Sequence, residues 1–424
     1  MPSIGDRAAT RRLFERLGLG PRPGELDSGE RAEALLSTTD DPSAAAPPAL
    51  SDEPKPGKDK EARKRAAEQL RIDQRALTLW WLERMATTEA PLTERITWFW
   101  HGHFATSAQK VRSPRLMLAQ NQTLRRLGLG DFAALANAMA VDPAMLIWLD
   151  GQKNTAKAAN ENLARELMEL FTLGVGNYSE PDVRAAARAL TGWKVDREAG
   201  TANFVPRQHD DDDKTVLGRT GPLDTPGLID VLVNHTSSPR FIARRLWTRL
   251  VSSAPPSDDT LSRLVAAYGS GRDIRGLVRA ISTEPAFRDE ASTIVKQPVE
   301  WLAGAMRALR IRPLALSEGD QNKLLAGLRG MGQTPFQPPS VGGWPSGGAW
   351  LTTAAGLARL QMSRTLAARA DLAGLSGDPV AAVGALLGVE AWTERTRGAL
   401  KPLSGKPAQL VAVALCAPEY VISG

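Results

Sequence analysis

Apolar positions recur at helical spacing through most of the chain. In "EQLRIDQRALTLWWLERMATTE" Leu70, Leu77, Trp80, Trp81, Leu82 and Met85 give one buried face. "PLTERITWFWHGHF" repeats the pattern: Ile96, Phe99, Trp100 and His103 stand at i, i+3, i+4 and i+7, so His103 is expected to point into the core. Further helices are expected over 113–127, 131–137, 143–149 and 160–173. "YSEPDVRAAARALTGW" then supplies a Ser179-x-x-Asp182 capping box, a first-turn proline and a terminating Gly192.

The pattern breaks in a few places. Residues 6–19 read as a short helix ended by Gly20-Pro21, and 37–63 form a Pro-, Ala- and charge-rich segment with no apolar period, expected to be a mobile linker. Residues 194–223 have strand-like or irregular character, and "MGQTPFQPPSVGGWPSGGAW" is a Gly/Pro-rich loop over 331–350. The expected fold is mostly α: one large helical array with an irregular or short β insertion near 194–223. Its parts are an N-terminal helix in 1–36, the linker 37–63 and a main helical domain 64–424.

Composition narrows the function classes. The 53 basic and 47 acidic residues are interleaved, so the net charge of +6 makes no segregated patch and nucleic acid is not the expected partner. The basic run 55–71 offers a polyanion-binding surface as a minor reading. A single cysteine, Cys416, allows neither an intrachain disulfide nor a Cys-rich zinc cluster. No apolar window is long enough for membrane insertion. "TRRLFER" imitates a twin-arginine signal, but "LGLGPRPGEL" after it is no apolar h-region. The expected location is therefore cytoplasmic, or exported with a signal-bearing partner. The absence of GxSxG, GxGxxG and GxxxxGK[ST] argues against a serine hydrolase and against a nucleotide cofactor.

Three constellations could carry chemistry. His101 and His103 flank Gly102; on a continuous helix they diverge by about 200°, and they share a face only if the helix breaks. In "ANENLARELMELFTLG" Glu161, Arg165 and Glu169 make a polar stripe with Glu166 at its border. They are either solvated i,i+4 pairs, or Glu166 or Glu169 is a ligand or general base held by Arg165. "QHDDDDKTVLG" sets His209 beside Asp210, with Lys214 able to meet an anion, on what is otherwise a solvated acidic loop. Trp344 and Trp350 could stack on sugars or simply pack, and His235 reads as structural.

Taken together, "FWHGHFATS", "NENLARELMELFTLGVGNYSEPDVRAAARALTGW", "HDDDDKTVLG", "VKQPVEW" and the 331–350 loop resemble, over residues 7–360, the bacterial family catalogued as domain of unknown function 1800. The resemblance carries no activity. It implies that His101, His103, Asn160, Glu161, Asn162, Arg165, Glu166, Glu169, His209, Asp210 and Lys214 belong to the family pattern. It also implies frequent secretion and a partner related to sulfatases and alkaline phosphatases. "AANEN" stands where a proline before the asparagine is usual.

Two readings follow. One is a metal-dependent or acid/base hydrolase or transferase acting on a glycan-like or phosphorylated substrate. In it His101, His103, His209 and Asp210 hold Zn, Mn or Fe, and Glu166, Glu169, Arg165 and Lys214 serve catalysis. The other is a non-catalytic binding or assembly subunit of a phosphatase- or sulfatase-like partner. The first needs the histidines and Glu166 gathered around a reachable cleft; the second leaves them free to be scattered or sealed.

Overall fold

The computed structural model describes residues 7–27, 29–38, 41–52, 59–375 and 377–423. Helices dominate because each apolar stripe finds another to cover it. At the N-terminus α1 (Arg7–Leu13) widens into a π turn, Phe14–Gly18, closed by Leu19 at a φ of 91°. After α2 (Gly29–Ser37) comes α3 (Lys60–Thr87), 28 residues long, started by the Asp59 carboxylate accepting from Ala62 N–H. The linker expected at 37–63 thus ends inside a helix. Its residues 39, 40 and 53–58 lie outside the described ones, and hydrogen bonds tie parts of 41–52 to α3. Ala45 O accepts from Trp80 Nε1 at 2.9 Å, and Asp73 accepts from Ser51 N–H at 3.2 Å.

Shorter helices follow: α4 (Pro91–His103), α5 (Ala108–Val111), α6 (Pro114–Leu127), α7 (Phe132–Ala140) and α8 (Pro143–Trp148). Ser107, Ser113, Asp131 and Asp142 cap the last four. Helix α9 (Glu161–Glu166) passes into a second π turn, Leu167–Thr172, and α10 (Glu180–Ala189) carries the expected Ser179–Asp182 capping box.

The strand-like region consists of two antiparallel hairpins, β1 (Trp193–Asp196) with β2 (Thr201–Phe204) and β3 (Lys214–Val216) with β4 (Arg219–Gly221). Helices α11 (Thr225–Asn234), α12 (Ser237–Leu250), α13 (Asp258–Tyr268), α14 (Ile274–Thr283) and α15 (Pro285–Arg288) complete the first half. The rest comprises α16 (Pro298–Ala308), α17 (Glu318–Gly330), α18 (Thr353–Ala367), α19 (Pro379–Leu387), α20 (Glu394–Leu400), α21 (Pro407–Ala414) and α22 (Pro418–Val421). Two-residue strands, β5 (Ile294–Val295) and β6 (Ile422–Ser423), tie the chain end back. Among the described residues no helix is long and apolar enough to cross a membrane.

Two hydrophobic cores result. One gathers α6 to α14 around Phe104, Phe132 and Phe171; the other gathers α3, α16 to α18 and α21 around Trp81 and Trp301. Helix α4 lies between them and gives side chains to both: Ile96, Phe99 and Trp100 to the first, Trp98 to the second. It is therefore buried all round, and the one-sided stripe read from its sequence describes only half of its contacts.

Its charged residues fix its position. Glu94, 1% exposed, takes Arg125 through both oxygens (2.6 and 2.9 Å), Arg84 Nε at 3.0 Å and Trp81 Nε1 at 2.9 Å. Burial alone would raise the Glu94 carboxyl, but Arg125 and Arg84 outweigh it and hold the group below the ordinary range. Arg95 pairs with Glu300 of α16 and donates to Arg16 O and Arg249 O, both at 2.9 Å.

Removing one member of such a buried set strands the others without a counter-charge. Glu94→Leu is expected to lower unfolding free energy by about 3 kcal/mol in chemical denaturation, and a loss under about 0.5 kcal/mol would show the clamp to be dispensable.

Candidate functional site

Helix α4 continues through Gly102 to His103, so the two histidines point into different cores. His101 is 1% exposed among Trp81, Trp98, Phe336 and Trp344, with ring centroids 5.1 to 5.8 Å away. Its Nε2 accepts the backbone N–H of Phe336 at 3.0 Å, which places the ring proton on Nδ1. His103 is 2% exposed against Phe99, Trp100, Phe104 and Phe241, and its Nε2–H donates to Phe171 O at 2.9 Å. That carbonyl sits at the end of the second π turn. Burial pushes both imidazoles down to about 3, helped at His103 by Arg245, so both are neutral.

The other expected ligands lie elsewhere. On the loop before β3, His209 Nδ1 meets Thr191 Oγ1 at 3.1 Å and Thr191 O at 3.0 Å. Asp210 is gripped by Arg188 at 2.6 and 2.9 Å, which holds its carboxyl below the usual range. Lys214 buries its ammonium on the carbonyls of Asp210 and Asp212, and burial lowers its pKa. These contacts shape a turn and leave no ammonium reaching outward.

The structure does not bring the four expected ligands together: His101 and His103 face different cores, and His209 and Asp210 lie on the loop before β3. His101 and His103 each spend Nε2 on a different backbone group, while Asp210 is committed to arginine. Among the described residues no three His, Cys, Asp or Glu side chains are grouped so that they could hold a metal ion.

On α9 the stripe becomes ion pairs. Arg165 does not hold Glu166 or Glu169: its fork closes on Glu180 of α10, 2.8 Å on each side, with Glu161 at 3.1 Å. Glu169 accepts the Tyr178 hydroxyl, and burial together with that bond lifts the phenol to about 12. Glu166 is half-buried, and its carboxyl is raised by burial and by neighbouring Glu169. The spacing did not reveal the π turn, which Thr172 Oγ1→Leu167 O (2.5 Å) and Leu173 N→Met168 O (2.9 Å) hold open.

The bond from Phe336 to His101 leads to a site that the sequence did not disclose. Phe336 holds a φ of 65°, rare for an aromatic residue, and its carbonyl accepts Ala108 N–H at 2.8 Å. Gln333 bridges Val299 N–H at 3.0 Å and Gln297 Oε1 at 2.7 Å, so the loop is pinned at both ends. At Gly343 the φ is 79°, and any Cβ would collide with Gly102 O.

The pinned loop is one wall of a cleft of about 500 Å³, whose other walls are α3, α5 and α17. Into it come Arg71, Arg75, Arg112 and Arg329, together with the amides of Gln74, Gln109, Asn322 and Gln337 and the hydroxyls of Thr78 and Thr334. No carboxylate lines it. Arg75 reaches only amide oxygens, Gln321 at 2.7 Å and Asn322 at 3.3 Å; Arg112 and Arg329 are exposed and have no carboxylate partner among the described residues. Gln74 Nε2 is buried without a hydrogen-bond partner.

The sealed histidines make a pH prediction. An imidazole with an unfolded pKa near 6.5 and a folded one near 3 takes up its proton on unfolding, so its stability contribution is full above about pH 6.5 and lost as pH falls toward 3. Asp142, raised to about 6 by burial, acts in the opposite sense, so the comparison is made against a variant. The wild-type unfolding free energy should decline more steeply than that of His103→Gln between about pH 6.5 and 4, by up to about 1.4 kcal/mol per pH unit. Parallel profiles would contradict a sealed His103.

No curated protein and no solved structure matches the chain. A family model does match, over residues 12–422, and it takes in both cores, the sealed histidine helix and the pinned loop. The chain belongs to the family described as "Protein of unknown function (DUF1800)".

Proposed function

We propose that this chain is a non-catalytic binding or assembly subunit that takes an anionic, hydroxyl-rich group, glycan-like or phosphorylated, in the cleft between α3, α5, α17 and the 331–337 loop. The observation that carries the reading is the lining: four arginines with amide and hydroxyl groups and no carboxylate in the walls, Arg71 alone of the four being paired, among the described residues, with a carboxylate, Glu68, outside them. Guanidinium forks meet phosphate, sulfate or carboxylate oxygens in pairs, and amides and hydroxyls suit sugar hydroxyls. A phosphatase- or sulfatase-like partner fits this chemistry, because its substrates carry the same oxyanions.

An acid/base enzyme is the second reading. Glu166, with its raised carboxyl one turn from Glu169 and beside a π turn, favours it. The binding reading is preferred because Arg165 is committed to Glu180 and His101 and His103 are sealed.

Calorimetry with a sulfated oligosaccharide and its desulfated counterpart tests the proposal. The sulfated form should bind, more weakly as salt rises, and Arg112→Gln with Arg329→Gln should cost roughly tenfold or more in affinity. Equal binding of both sugars, or an unchanged affinity in the double variant, would contradict it.

A further inference from the structure

A second, larger cleft of about 680 Å³ opens further along α3, between the 41–47 segment, α4, α6 and the start of α14. Its floor is the Glu94 clamp. Arg84 and Arg125 lie over the Trp80 ring, 5.8 and 5.4 Å from its centroid, while both hold the Glu94 carboxylate. The one carboxylate fixes both cations and offsets one of their two charges.

The rim differs. Arg126, next on α6, is exposed and makes no ion pair among the described residues. Arg275 on α14 gives Nη1 to Leu36 O at 3.0 Å, and its pKa is lowered by burial and by Arg279. The other carboxylate in the lining, Asp41, already accepts Glu89 N–H at 2.9 Å and the Ser43 hydroxyl at 2.6 Å. Four arginines against Asp41 and Glu94 leave the lining with two uncompensated positive charges. Gln122 and Thr88 add neutral polar groups.

We infer that this cleft is a second site, for a compact dianion of the phosphate monoester type, held by Arg126 and Arg275 above the fixed Glu94 floor. A doubly charged tetrahedral group offers enough oxygens for two guanidinium forks and cancels the residual charge. The site is separate from the cleft of the proposed function. The first has no carboxylate in its walls, whereas this one has a buried, arginine-clamped carboxylate as its base.

The test uses the full chain carrying Arg112→Gln and Arg329→Gln, so that the first cleft is disabled, with inorganic phosphate as the probe. Titration at low ionic strength is followed by calorimetry and by the Trp80 indole N–H resonance. Binding at or below about 10 mM that moves this resonance is expected, and adding Arg126→Gln should weaken it roughly tenfold. Arg126→Gln removes an exposed side chain with no ion pair, so its melting temperature should match its parent's, and Arg126→Lys should restore part of the affinity. No binding by about 10 mM would overturn the inference. So would binding that survives Arg126→Gln with Arg275→Gln, or a cleft that takes an acidic peptide but not phosphate.

Discussion

The structure depends on helix α4 remaining helical across Gly102. Residues two apart on a helix point to nearly opposite sides, so one continuous turn sends His101 into the core of α3 and α16 and His103 into that of α9 and α12. Each neutral ring then answers one backbone group that its core could not otherwise satisfy. Phe336 N–H and Phe171 O are buried, and an unpaired buried backbone group costs about 1–3 kcal/mol. Histidine suits both places because one side chain supplies an acceptor in one tautomer and a donor in the other.

The same helix organises the charge. Glu94 reaches toward α3 and α6 and Arg95 toward α12 and α16, so α4 is held from both sides by groups that would be costly to bury singly. The arginines left over define the clefts. Where Arg84 and Arg125 are spent on Glu94, Arg126 is exposed and half-buried Arg275 is held by Leu36 O. Along α3, Arg75 reaches only amide oxygens. Binding character here is the residue of an internal charge balance, displayed on the flanks of the most buried elements.

Much of the fold was legible in the sequence. The periodicity of α3 and the Ser179–Asp182 capping box act within a few residues, and so could be read locally. The 194–223 segment became two hairpins for the same reason: no helical period competes with pairing there. The site was less legible. His101-x-His103 is ambiguous until the conformation of Gly102 is known, and nothing local decides that. Arg165 could have closed on Glu169 or on Glu180, and the choice came from the packing of α10 on α9. The arginine cleft draws on four separated segments, each unremarkable alone; the one local hint was the Gly/Pro-rich loop. Of the two uses open to Trp344 and Trp350 on that loop, stacking on sugars or packing, both take the second and are buried.

The central claim is that the two histidines are sealed, neutral and locked in opposite tautomers. Long-range nitrogen-15 NMR of the histidine rings tests this most directly. The account predicts that His101 carries its proton on Nδ1 and His103 on Nε2, with neither titrating between about pH 5 and 8. A ring that protonates near 6.5, or a shared tautomer, would contradict it.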